Sequence, residues 1–258
     1  MAIHSDHAGQ GEPVLLIQGT GVAGCAWKPQ VEGLRDRFQL AWFDNPGIGA
    51  SPGPPGDMGH MVAAAVEVLD AMGWDSAHVA GHSLGGVVAQ RLVLDHPARV
   101  RSLALLSTLA QGKATLSFSP AAMWLQMRML VGSQASRRRA FFEFVSTREP
   151  SEANIAELEA VFGRSLAALP PAARTQVRTL IGADYRSELG SVKVPAVVIG
   201  GEHDKPAPIE QSRILAELLG CPLHTFDSGH ALPVERADEV NAVLRAFWDD
   251  ASASSRVS

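Results

Sequence analysis

The stretch Gly81-His82-Ser83-Leu84-Gly85-Gly86 contains G-x-S-x-G, with an apolar run before it and a helical pattern after it. A serine hydroxyl is a poor nucleophile until a neighbouring imidazole takes its proton, so the chemistry this motif offers is acyl transfer through Ser83. A sharp strand-to-helix turn would lift that hydroxyl into solvent, and the flanking glycines avoid collisions with neighbouring strands. A second constellation suggests different chemistry. In LLIQGTGVAG, Gly19, Gly21 and Gly24 read as G-x-G-x-x-G after a strand-like run, and Asp44 follows at about the spacing of roughly 20 residues that a dinucleotide fingerprint requires. Against this, the fingerprint needs a helix that begins within the glycines, and Trp27-Lys28-Pro29 puts a proline where its second turn would run.

Both loops depend on the elements around them. Strand-like runs lie at 14–17 (VLLI), 39–43 (QLAWF), 77–81 (AHVAG), 100–106 (VRSLALL), 196–200 (AVVIG) and 222–226 (PLHTF). Helical patterns cover 59–72, 84–95, 208–219 and 233–248, the last two opening with proline near the first helical position. Short apolar strands alternating with helices predict an α/β fold, a mostly parallel sheet flanked by helices. From about Ala114 to Leu189 the strand signal disappears, and only helical patterns remain, among them SPAAMWLQMRML, SRRRAFFEFVS and SEANIAELEAVF. This predicts an all-helical cap at 114–189 inserted into a core made of 1–113 and 190–258. The closing ASASSRVS, small and polar, reads as a frayed tail.

Composition narrows the function classes. The chain has 258 residues, 22 basic against 27 acidic, for a net charge of −5 without long charge blocks. That balance argues against nucleic acid or an anionic membrane surface as partner, and the run Arg137 to Arg139 reads as a solvated helix face. No apolar run approaches the roughly 18 residues of a membrane span, and MAIHSDHAGQG lacks a signal-peptide pattern, so a cytoplasmic location is expected. Cys25 and Cys221 have neither a disulfide framework nor metal spacing and read as small apolar packers. The nine histidines form no His/Cys cluster, so no metal is expected.

From the glycine loop to the final histidine, nearly the whole chain resembles the α/β-hydrolase family. The resemblance implies a chain order of serine, acid and histidine. Ser83 is followed by Asp204 in GGEHDKP, just past the strand at 196–200, and by His230 in DSGHALP, just past the last strand. Glu202 and Asp227 are other acids that could claim the Asp204 position. In this scheme His230 takes the serine proton, and Asp204 holds the imidazole in its tautomer. The oxyanion would be met by the N–H of Leu84, at a helix N-terminus, and by one from the loop after the first strand, that of Thr20. The family usually has His-Gly there, whereas this chain has Gln18-Gly19-Thr20-Gly21. Asp44-Asn45-Pro46-Gly47-Ile48-Gly49-Ala50-Ser51 is similar to the family's D-x-x-G-x-G-x-S loop, which gives Asp44 a structural role and favours the oxyanion reading of the glycines. His82 and His203, next to catalytic positions, read as structural or solvent-facing.

The cap supplies Met123, Trp124, Met127, Leu130, Phe141 and Phe142. Such stripes usually pack a cap onto its core, but some should line the cleft above Ser83. Met123, Trp124 and Met127, with Gly19 and Trp27 from the oxyanion loop, are the expected substrate contacts. The resemblance implies a serine hydrolase acting on a small or medium apolar carboxylic ester or lactone through an acyl-enzyme, without a cofactor. IQGTGVAG and FDNPGIGAS look like the enol-lactonase and carboxylesterase branch. The alternatives are a lyase or biosynthetic tailoring enzyme using the same triad, a ligand-binding receptor, and a nicotinamide oxidoreductase. A small molecule is the expected partner, with no nucleic acid and no membrane, and a homodimer is left open.

Overall fold

A computed structural model describes residues 2–116 and 119–255. Its seven strands are β1 (Ser5–Ala8), β2 (Glu12–Ile17), β3 (Phe38–Phe43), β4 (Ala77–His82), β5 (Val100–Leu106), β6 (Ala196–Gly201) and β7 (Leu223–Phe226). They form one sheet in the order β1-β3-β2-β4-β5-β6-β7. Only β1 runs antiparallel, pairing Ser5 with Phe43 through Ala8 with Leu40. The expected strands are all present. β1 carried no signal because SDHA is a short, polar edge strand with no apolar alternation to detect.

Helices cover both faces: α1 (Lys28–Leu34), α2 (Met58–Ala71), α3 (Leu84–Asp95), α4 (Pro120–Val131), α5 (Gln134–Val145), α6 (Glu152–Phe162), α7 (Pro171–Gly182), α8 (Arg186–Leu189), α9 (Ile209–Leu219), α10 (Leu232–Glu235) and α11 (Ala237–Ser255). The two-residue period of a strand sorts the core. Leu15 and Ile17 of β2 pack with Val68 and Leu69 of α2 and Val88 and Leu92 of α3. Val14 and Leu16, on the opposite face, pack with Leu34 of α1 and Leu244 and Trp248 of α11. Burial on both faces is why these strands read as continuous apolar runs.

Helices α4 to α8 all fall between β5 and β6, as the missing strand signal predicted. An isolated antiparallel bridge between Gln111 and Asp184 closes the base of this helical insertion. Ser119, Ser133 and Ser151 cap α4, α5 and α6 by accepting backbone N–H groups two or three residues into each helix. Arg138, read as part of a solvated face, instead ties α5 to α6 by pairing with Glu159 and Glu152.

Two expectations at the C-terminal end are corrected. The single helix over 233–248 is α10 followed by α11, separated at Arg236 with φ −127° and ψ 42°. The tail is helical through Ser255, and the Ser252 hydroxyl reaches Nε2 of buried His78 at 3.1 Å, so this segment is anchored rather than frayed. The tail's last residues, 256–258, lie outside the described residues. Cys221 packs against the core, but Cys25 is exposed, contrary to its reading as a packer. Among the described residues no helix is long and apolar enough to cross a membrane.

Candidate active site

The turn between β4 and α3 holds Ser83 at φ 56° and ψ −122°, a conformation that costs a non-glycine residue roughly 1–3 kcal/mol. Surrounding bonds fix it there. The Ser83 N–H donates to the Leu106 carbonyl at 3.0 Å, and the Thr108 hydroxyl donates to the Ser83 carbonyl at 2.6 Å. The turn closes so tightly that a Cβ on Gly85 would lie 2.0 Å from the Ile17 carbonyl oxygen, which explains the glycine.

The loop after β7 delivers His230, and the loop after β6 delivers Asp204. His230 Nε2 lies 2.9 Å from Ser83 Oγ. Its Nδ1 faces both Asp204 oxygens, at 2.8 Å and 3.0 Å. The Asp204 side chain is fully enclosed and also accepts the Ala207 N–H at 2.7 Å, so its plane is set independently of the histidine. The competing acids face elsewhere. Asp227 pairs with His203 at 3.0 Å on the surface, and Glu202 accepts the Thr225 hydroxyl.

His82 is buried rather than solvent-facing, with Nε2 donating to the His230 carbonyl at 2.9 Å and Nδ1 lying 3.0 Å from Gln18 Oε1. Burial pushes its pKa down to about 3, so it is neutral at ordinary pH, and its single N–H, on Nε2, ties the end of β4 to the His230 loop. Gln18 is a member of the site that sequence reasoning passed over. Its Oε1 accepts the Gly19 N–H at 2.7 Å, and its carbonyl accepts Asn45 Nδ2 at 3.1 Å.

The first N–H groups of α3 have no partner within the helix, which leaves Leu84's available at the positive end of the helix dipole. In the β2 loop, the N–H groups of Gly19, Gly21, Val22 and Gly24 go to Gln18, Gln176, Gly19 and Asp44. Thr20's N–H has no protein partner among the described residues, and Thr20 lines the cavity beside Ser83. The dinucleotide reading fails on geometry. A 3₁₀ turn at Gly24–Trp27 follows the glycines, and α1 starts only at Lys28 with Pro29 in its first turn. Asp44 is spent on structure, accepting the N–H groups of Gly24 at 2.7 Å and Ala50 at 2.8 Å.

Above Ser83 and His230 lies a cavity of about 640 Å³, floored by Gly19 and Thr20 and walled largely by cap side chains such as Met129, Phe141, Phe162 and Val177. Three expected cap contacts are not among them. Met123, Trp124 and Met127 are 59%, 60% and 56% exposed, on the outer side of α4. The helix buries Ala122 and Leu125 instead, and at about 100° per residue Met127 lies roughly 200° from Leu125, while Gln126, Met129 and Leu130 turn toward the cavity. Trp27 is also corrected. It is fully buried in the core between sheet and helix, edge-on to His82 with ring centroids 6.4 Å apart, and does not reach the cavity.

Three further residues were not legible in the sequence. Glu235, at the end of α10, accepts from the Ser228 and Ser146 hydroxyls, from the Gly229 N–H at 3.0 Å and from the Thr147 N–H at 2.9 Å. Burial alone would raise its pKa, but these donors outweigh it and hold the carboxyl below the usual range. It therefore fastens the loop before His230 to the end of α5. Gln176 and Arg164, from the cap, reach the loop after β2 at Gly21.

The family described as alpha/beta hydrolase fold matches residues 12–237. A relative from Azorhizobium caulinodans named "Putative carbamate hydrolase RutD" is 32% identical over 93% of this chain and 92% of its own. Among solved structures, the enol-lactonase from Burkholderia xenovorans LB400 superposes with a TM-score of 0.81 at 24% identity, covering 96% of both chains. Est816, described as an N-acyl homoserine lactone degrading enzyme, gives a TM-score of 0.79 at 26% identity, covering 95% of this chain and 96% of its own.

Proposed function

The chain belongs to the α/β-hydrolase fold family, and from that premise we propose that it is a serine hydrolase cleaving a small or medium apolar carboxylic ester or lactone through an acyl-enzyme. The observation that carries this reading is the Ser83–His230–Asp204 line of short contacts beneath a mostly apolar cavity. Ser83 Oγ attacks the carbonyl carbon while His230 Nε2 takes its proton. The negative oxygen of the tetrahedral intermediate receives the N–H groups of Leu84 and Thr20. As the carbon–oxygen bond breaks, the imidazolium returns the proton to the leaving alkoxide. Water, deprotonated by the same imidazole, then releases the acid and restores Ser83. Asp204 holds the ring and favours the imidazolium without taking its proton.

A carbamate is the second reading, favoured by the name of the Azorhizobium relative. Its carbonyl asks for the same nucleophile and the same oxyanion donors. One experiment separates the options: p-nitrophenyl esters from C2 to C12, a set of lactones and an aryl carbamate, assayed beside intact-mass detection of a fluorophosphonate adduct on Ser83. Turnover of esters or lactones with labelling supports the proposal. Preference for the carbamate moves the substrate class. Labelling of Ser83 without turnover of any of them favours the non-hydrolytic enzyme or receptor instead.

A further inference from the structure

The oxyanion loop is held from two sides. On the core side, Gln18 Oε1 accepts the Gly19 N–H at 2.7 Å. On the cap side, Gln176 Oε1 of α7 accepts the Gly21 N–H at 2.8 Å, and Arg164 Nε donates to the Gly21 carbonyl at 2.8 Å. The Gly19–Thr20 peptide, which carries the Thr20 N–H, sits between these fixed neighbours. Gly21 adopts φ +66°, and a Cβ there would lie 3.1 Å from both Ala173 and Pro170, so the loop is packed against the start of α7 as well as bonded to it. Both cap residues are themselves well placed. Gln176 is 1% exposed, and the Arg164 guanidinium lies over the rings of Phe141 and Phe162 at 5.1 Å and 5.9 Å.

We propose that Gln176 and Arg164 are positioning residues for the oxyanion hole, so that seating of the cap sets the direction of the Thr20 N–H. The proposal rests on the hydrolase reading above. A loop with glycines at 19 and 21 has many backbone conformations, and an N–H stabilises a developing oxyanion only when already aimed at it. The core holds the loop at its two ends, at Gln18 through Asn45 and at Gly24 through Asp44, and the cap holds Gly21 between them. The cap is then part of the catalytic machinery as well as the roof of the pocket, and a substrate that unseats it loses transition-state stabilisation as well as enclosure.

The test uses the full chain with p-nitrophenyl butyrate as substrate and butylboronic acid, which forms a tetrahedral adduct on serine, as transition-state analogue. Gln176→Leu removes the acceptor, Gln176→Glu keeps an acceptor oxygen, and Arg164→Met removes the donor. Because loss of an oxyanion donor itself costs about 10²–10³ in kcat, loss of a restraint on one should cost about 10- to 100-fold. That loss should appear in kcat with KM held within about threefold, with a matching loss of boronate affinity and recovery of most of the kcat in Gln176→Glu. Arg164→Met should shift the same quantities in the same direction, which keeps the test open if Gln176→Leu does not fold. Variants that fold and retain parental kcat and boronate affinity overturn the proposal. So does a loss that Gln176→Glu shares in proportion to a lowered melting temperature. A parental protein that is neither labelled at Ser83 nor active overturns the hydrolase reading and this proposal together, whereas parental activity with silent variants overturns this proposal alone.

Discussion

The carboxylate of Glu235 accepts the Ser228 hydroxyl and the backbone N–H of Gly229 at 3.0 Å, just before His230, while its other contacts reach Ser146 and Thr147 at the end of α5. One side chain thus couples the position of the candidate general base to the cap. Its folded pKa is lowered, so the stabilisation is fully present above the carboxyl's ordinary pKa and is lost as pH falls through the depressed folded value. Glu235→Gln should cost about 1.5–3 kcal/mol at pH 7, the worth of hydrogen bonds to a charged group. The gap in melting temperature between parental protein and variant should narrow as pH falls below about 4. Melting curves between pH 7 and pH 3 check this, and a gap that stays constant in pH would show the carboxylate charge to be irrelevant.

Ser83 carries a cost in stability for its place in the turn. Its φ of 56° is a position that glycine occupies without strain. Ser83→Ala should abolish ester turnover, by about 10⁴-fold or more, and keep the strain. Ser83→Gly should be equally inactive yet more stable than Ser83→Ala by about 1 kcal/mol, since only the second keeps a Cβ at positive φ. Denaturant titrations of the two inactive variants measure this directly. On the same scheme, Asp204→Asn should lower kcat by about 10⁴ while Asp227→Asn, on the surface beside His203, should be nearly silent.

The cap prediction follows the corrected face of α4. Met129 lines the cavity and Trp124 stands 60% exposed outside it. Met129→Ala should shift the preferred ester toward longer acyl chains, with each extra buried methylene contributing roughly 0.8 kcal/mol, about fourfold in kcat/KM. Trp124→Ala should leave the chain-length profile unchanged. Assays from C2 to C12 decide it, and a shifted profile in Trp124→Ala would mean that the outer face of α4 reaches the substrate.

What could be read in advance followed the range of the interactions involved. The elbow was legible because its chemistry is local: strand, turn and helix lie within Ala77–Asp95, and the glycines record close approaches inside it. Asp204 and His230 were legible through chain order and strand ends, since a parallel sheet brings its carboxyl edges together. The face of α4 was not. Apolar residues surround that helix, so periodicity could not say which side docks, and the small Ala122 at the buried face gave no apolar signal. Gln176, Arg164 and Glu235 were invisible for a different reason. Gln176 and Arg164 each bond to Gly21, 155 and 143 residues away in sequence, Glu235 reaches Ser146 and Thr147 across 89 and 88 residues, and a single polar residue carries no pattern.

His78 and His82 are both buried and neutral, and together they predict how the fold responds to mild acid. Desolvation pushes His78 down to about 4, and its ring is held between the hydroxyls of Ser102 at 2.8 Å and Ser252 at 3.1 Å. His82 is pushed down to about 3 by burial and by the neighbouring His230. For each, the unfolded chain takes up a proton near the ordinary imidazole pKa of about 6.5, while the folded chain does not until pH reaches the depressed value. The unfolded state therefore binds more protons throughout that window, and stability falls as pH is lowered from about 6.5 toward 4. Each histidine contributes a slope of about 1.4 kcal/mol per pH unit once pH is well below 6.5. His78→Phe keeps a ring against Trp248 but cannot titrate, and it loses two hydrogen bonds. It should be less stable than the parental protein at pH 7.5, and its stability should fall less steeply between pH 6 and pH 4.5, by close to one proton's worth of slope. Urea titrations at intervals of half a pH unit give both the level and the slope. Equal slopes in the two proteins would mean that folded His78 is protonated over that range and that the enclosure of α11 around it opens in mild acid.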